Sequence, residues 1–160
     1  ISMSLGGYSN DARQKAYTQA VDYCNKNGVI VIVAAGNSNM NATGFAPANA
    51  TGAITVSAID ADLNKATFSN YISDLNMGIA APGVGIYSTI PNNQYAAYNG
   101  TSMATPYVAG LVGLMRSIDP NLTTTEVYDI LDRTGRNTKN TDLTGKLILP
   151  HAAIKAVLQR

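Results

Sequence analysis

Val29-Ile30-Val31-Ile32-Val33-Ala34-Ala35-Gly36-Asn37 opens with seven apolar residues, five of them β-branched, before glycine and asparagine end the run. A strand with one face in water alternates apolar and polar side chains. One with no polar position must be covered on both faces, as strands inside parallel sheets are. Upstream, an acidic start at Asn10-Asp11 and apolar spacing at Ala16, Ala20, Val21 and Cys24 predict a helix that stops at Asn27-Gly28. Residues 1–5 alternate apolar and small polar side chains and predict a strand ending at Gly6-Gly7. Downstream, Ala53–Ile59 and the short apolar piece Gly78–Ala81 predict two further strands, and Gly85–Ile90 and Tyr95–Tyr98 flank a Pro91-Asn92-Asn93 turn as a hairpin. Three helices complete the chain: one beginning near Thr101, one at Thr123-Glu126 with a capping-box pattern, and one opened by Pro150. The order of strands and helices predicts an α/β domain, a parallel sheet layered with helices on both faces.

At 160 residues the chain has the size of one domain, and its net charge of +1 with only 13% charged residues gives no steering toward nucleic acid or anionic lipid. Cys24 is the only cysteine, which rules out an intrachain disulfide; its apolar helical setting predicts a buried structural thiol. No apolar run is long enough to span a bilayer, and no signal peptide is evident. Ile1–Leu5 reads as a strand already under way, so the chain is expected to be a piece of something longer.

The chemistry concentrates in Asn99-Gly100-Thr101-Ser102-Met103-Ala104-Thr105-Pro106-Tyr107-Val108-Ala109-Gly110. Ser102 stands where an apolar helix begins, so it is either a helix cap or a nucleophile whose developing oxyanion the free N–H groups of the helix start would favour. Asn37 has the same two readings. It is a turn residue after glycine, or an uncharged amide donor delivered by a buried strand to the carboxyl end of the sheet, where open α/β sheets place their sites.

These segments together resemble the subtilisin-like serine proteases. Gly-Thr-Ser-Met-Ala-Thr-Pro at 100–106 is similar to the family's nucleophile motif, and Ala34-Ala35-Gly36-Asn37 to the segment that supplies an oxyanion-hole asparagine. Met3-Ser4-Leu5-Gly6-Gly7 resembles its substrate-binding edge, while Ala66–Tyr71, Ala80–Val84 and Ile86–Thr89 resemble structural segments that precede the nucleophile. The resemblance implies the C-terminal portion of a subtilisin-like catalytic domain over residues 1–160, with Ser102 and Asn37 catalytic. It also implies that Ser4-Leu5-Gly6, with Gly7, and Ala34-Ala35-Gly36 wall the pocket for the residue before the scissile bond, with Gly44 near its floor. An extended peptide would pair main chain to main chain along that edge. Small uncharged walls imply an apolar or aromatic preference.

Such a protease also needs a histidine base and an aspartate to orient it. Neither Asp-(Ser/Thr)-Gly nor His-Gly-Thr-His occurs, and the only histidine, His151, lies after Ser102 and reads as a helix-start residue. The resemblance therefore implies a partner, the N-terminal half of the same protease carrying Asp and His, and an inactive chain without it. The competing expectation is a catalytically dead module that binds peptides or a partner through the same edge. No cofactor and no metal are expected, because the Gly44–Gly52 loop has no carboxylate and Asp60, Asp62 and Asp74 are scattered. The triplets at Asn41, Asn49 and Asn121 fit a glycosylation sequon that matters only in a eukaryotic secretory setting. Secretion is expected from family habit, and an open sheet edge is expected where preceding strands would pair.

Overall fold

The computed structural model describes residues 1–160. In chain order its elements are β1 (Ser2–Met3), β2 (Gly7–Tyr8), α1 (Asp11–Lys26), β3 (Ile32–Ala34), a 3-10 turn (Ala42–Gly44), β4 (Phe45–Ala46), β5 (Ile54–Ile59), β6 (Gly78–Pro82), β7 (Ile86–Ile90), β8 (Gln94–Tyr98), α2 (Thr101–Ile118), α3 (Thr124–Thr134), α4 (Thr141–Thr144) and α5 (Pro150–Leu158). β1, β3, β5 and β6 form a parallel sheet in that spatial order. β2 pairs antiparallel with β4, and β7 with β8.

The apolar run divides between two cores, which explains its lack of polar positions. Ile30 and Ile32 pack with Ile54, Val56 and Ile79 against α2, α3 and α5. Val31 and Val33 point the other way, toward Val21 of α1. Helices thus cover both faces, as the sequence requires. The first face is the larger: Val108, Leu111, Val112 and Met115 of α2 are all buried, and each contributes about 1.5–3 kcal/mol by leaving water. On the second face, buried Thr55 and Ser57 of β5 satisfy their hydroxyls on the carbonyls of Ala48 and Thr144, at 2.8 and 2.7 Å.

Helix ends follow the sequence closely. Asn10 caps α1 by accepting from the Arg13 N–H, and Thr123 and Glu126 form a reciprocal capping box on α3. Three expectations change. The strand over 1–5 shrinks to Ser2–Met3, because the chain turns away and re-forms as β2 to pair with β4. Cys24 is only half-buried at the margin of the smaller core. Ser102 is not the cap of α2: that position is Gly100, which has no side chain to cap with.

β1 is the outermost strand and has only one partner, β3. Ile1 and Leu5, which flank β1 in sequence, are exposed, as are Tyr107 and Leu114 on α2. No helix is long and apolar enough to cross a membrane.

Candidate active site

The site lies where the carboxyl ends of β1 and β3 meet the N-terminus of α2. Gly36 makes the turn out of β3 with φ +102, and a Cβ there would stand 2.5 Å from Asn70 Nδ2, so only glycine fits. The turn delivers Asn37 to Thr101. The Thr101 N–H and hydroxyl both donate to Asn37 Oδ1 at 2.9 Å, and the same hydroxyl accepts the Gly36 N–H at 3.2 Å. Two donors on one amide oxygen fix which way the amide faces. The Asn37 NH₂ is left pointing away from Thr101, free to donate.

α2 supplies a second free donor. Of its first four N–H groups, Thr101's goes to Asn37, and those of Met103 and Ala104 go to the Gly100 carbonyl. The Ser102 N–H is the one left over, as a helix start allows. Gly100 places the two donors relative to each other. A Cβ built on it would lie 3.5 Å from Asn37 Nδ2 and 3.6 Å from Ser102 N, so both donors border the small space that the missing side chain keeps open. The helix dipole adds positive potential at the same place.

Pro106 adjusts the backbone at Ser102. Lacking an N–H, it cannot bond the carbonyl four residues back, which is that of Ser102. The Ser4 hydroxyl takes over, donating to Ser102 O at 2.8 Å. In return Ser102 Oγ donates weakly to Ser4 O at 3.4 Å. This pair ties the segment after β1 to the start of α2, across 98 residues of sequence. The acceptor of the Ser102 hydroxyl is thus a carbonyl oxygen, which is no base for it. His151 stands exposed in the first turn of α5.

A cavity of about 350 Å³ opens beside these groups, within the size range of small-molecule pockets. Ser4, Leu5, Gly6 and Gly7 form one wall, Ala34, Ala35, Gly36 and Asn37 the opposite one, and Thr101 and Ser102 the end. No charged residue lines it. Gly44, expected near the floor, does not line the cavity: it is exposed on the 3-10 turn, where its carbonyl accepts the Ser9 N–H, and Phe45, Ala46 and Ala48 line the cavity in its place. Tyr8 closes over Phe45 with ring centroids 4.9 Å apart. A second, more open groove of about 480 Å³ lies across Ser102, between Ile86, Tyr98, Met103 and Tyr107.

Sequence reasoning missed Thr101, Pro106 and Asn70 as parts of this geometry. The first two stand inside the Asn99–Gly110 motif, whose local pattern carries no signal of an orienting role. No group of three or more His, Cys, Asp or Glu side chains gathers anywhere in the structure.

Comparison with known proteins identifies the family. The model of the subtilase family matches residues 1–148. Alkaline elastase YaB from Bacillus sp. (strain YaB) is 42% identical over 144 residues, covering 90% of this chain and 36% of that protein. Subtilisin DY from Bacillus licheniformis is 41% identical over 150 residues, covering 91% and 53%. Among solved structures, a protease from Pseudoalteromonas arctica PAMC 21717 superposes with a TM-score of 0.86 at 31% identity, covering 97% of this chain and 50% of that one. The chain therefore spans between about a third and a half of the relatives it matches.

Proposed function

The chain belongs to the subtilase family, and from that premise we propose that it is the C-terminal part of a serine endopeptidase catalytic domain, with Ser102 as nucleophile and Asn37 in the oxyanion hole. The observation that carries the reading is the convergence of two unpartnered donors, Asn37 Nδ2 and the Ser102 N–H, on the space beside Gly100. Donors fixed before reaction stabilise charge that appears only in the transition state.

In this mechanism Ser102 Oγ attacks the carbonyl carbon of the scissile peptide bond and gives up its proton to a histidine. The carbonyl oxygen becomes an oxyanion and accepts hydrogen bonds from both donors. Collapse breaks the C–N bond, the histidine returns the proton to the leaving amine, and the acyl group stays on Ser102 until water repeats the sequence. The histidine and its orienting aspartate come from the partner, the N-terminal half of the protease, which pairs with the open edge of β1. The residue before the scissile bond enters the cavity between Ser4–Gly7 and Ala34–Gly36, whose uncharged lining favours an apolar or aromatic side chain. Action outside the cell on protein substrates completes the reading.

The test is turnover of peptide anilides by this chain co-folded with a subtilase N-terminal half. A phenylalanine or leucine substrate is expected to be cleaved in preference to lysine or glutamate, with Ser102→Ala abolishing cleavage. Peptide binding without turnover in that complex would instead favour the dead-module alternative.

A further inference from the structure

Asn70 does not line the cavity, yet it is fully buried against the loop that carries Asn37. Its N–H donates to Gly36 O and its Nδ2 to Ala35 O, both at 2.9 Å. Its Oδ1 accepts from the N–H groups of Ser38 and Met40 at 2.9 and 3.0 Å. All four bonds end within three residues of Asn37, two before it and two after. One planar amide offers a donor and an acceptor in fixed relation, so the side chain reads both limbs of the loop at once. The fit with Gly36 is mutual, since any side chain there would strike Asn70 Nδ2. Asn70 is itself held, because Ser69 Oγ donates to its carbonyl at 3.0 Å while accepting the N–H of Ala58 in β5.

We propose that Asn70 is a positioning residue for the acyl-transfer reaction. It holds the backbone from Ala35 to Met40 so that Asn37 meets the oxyanion in register with the Ser102 N–H. Thr101 sets the direction of the Asn37 amide; Asn70 sets where its backbone stands. The proposal rests on the reading of Ser102 and Asn37 given above. The bonding pattern uses both ends of the amide. Aspartate keeps the acceptor but turns an oxygen on the Ala35 carbonyl, serine is too short to reach both limbs, and glutamine is a methylene too long for the closed space.

A double-mutant cycle in the complex with the N-terminal half tests this, with rates taken per titrated active site so that only folded enzyme counts. Asn70→Ser and Asn70→Asp are expected to lower kcat roughly 10- to 100-fold, with KM changed less than about twofold, the pattern of a misplaced transition-state contact. In an Asn37→Ala background the same substitutions are expected to cost no further kcat, because the group they position is gone. Equal losses in both backgrounds, or no loss of kcat where Asn37 is intact, overturn the proposal. If Asn37→Ala alone leaves kcat unchanged, the acyl-transfer reading itself fails. Should both Asn70 variants fail to fold, hydrogen exchange on the unsubstituted complex decides. Ser38 and Met40 amides exchanging as slowly as those of β5 support the clamp, and exchange as fast as in exposed loops overturns it.

Discussion

The two ends of α2 are held by different physics. From Val108 to Met115 the helix is fixed by apolar side chains buried against the sheet and α5, a non-directional force that specifies burial and little else. From Gly100 to Pro106 only Ala104 joins that core. The chain is fixed there by hydrogen bonds of set direction, from Thr101 to Asn37 and from Ser4 to Ser102 O, and by the absence of a side chain at Gly100 and of an N–H at Pro106. The comparison teaches that one helix can be anchored at its far end by burial while its near end is set atom by atom by directed hydrogen bonds.

Breaking the far end should cost stability and spare the chemistry. Met115→Ala empties a fully buried position and is expected to lower unfolding free energy by about 2–5 kcal/mol in chemical denaturation, with kcat per titrated site in the complex nearly unchanged. A matching fall in kcat would erase the distinction between the two ends.

Breaking the near end should reach the chemistry. Gly100→Ala places a methyl group between Asn37 Nδ2 and Ser102 N. Turnover per titrated site in the complex is expected to fall roughly tenfold, and because Gly100 has φ +157, which favours glycine, a stability loss of about 1–3 kcal/mol accompanies it. Unchanged turnover would mean that the two donors do not share that space.

The smallest expected effect lies farthest from the site. Arg160, aided by the N–H and hydroxyl of Thr123, holds the Glu126 carboxyl down at about 2. Because the folded value is depressed, this group's contribution is fully present above its ordinary value of 4.5 and is lost as pH falls through about 2. Acid titration of stability should therefore separate the unsubstituted chain from Glu126→Gln in that window. The difference should be small, since the pair is exposed to solvent. The Ser102 end has no part in it, and a pH-dependent change in the Asn37–Thr101 contact over the same window, seen by NMR, would show the two regions to be coupled.

Much of the fold was legible because burial is written in side-chain type. The unbroken run at 29–35 required two covered faces, and the caps at Asn10 and Thr123 marked helix starts. The serine and asparagine of the site were legible too, as residues near a helix start and a strand end. Their orientation was not. Nothing in the local pattern says that Thr101 turns the Asn37 amide, that Pro106 frees a carbonyl for Ser4, or that Asn70 clamps a loop some thirty residues upstream, because each depends on contacts between segments distant in sequence. For the same reason the pocket lining shifted from Gly44 to Phe45 and Ala46, and β1 came out shorter than its pattern, since pairing with β3 and β4 decides where the strands stop.

Labelling of Ser102 by a fluorophosphonate probe, read by mass spectrometry, tests the central claim most directly. The chain alone should label no faster than Ser117, an exposed serine on the same helix. Joined to a subtilase N-terminal half, it should label stoichiometrically at Ser102 and lose that labelling on Asn37→Ala. Rapid labelling of the isolated chain, or none in the complex, would contradict a site that holds its nucleophile and oxyanion donors ready while lacking only its base.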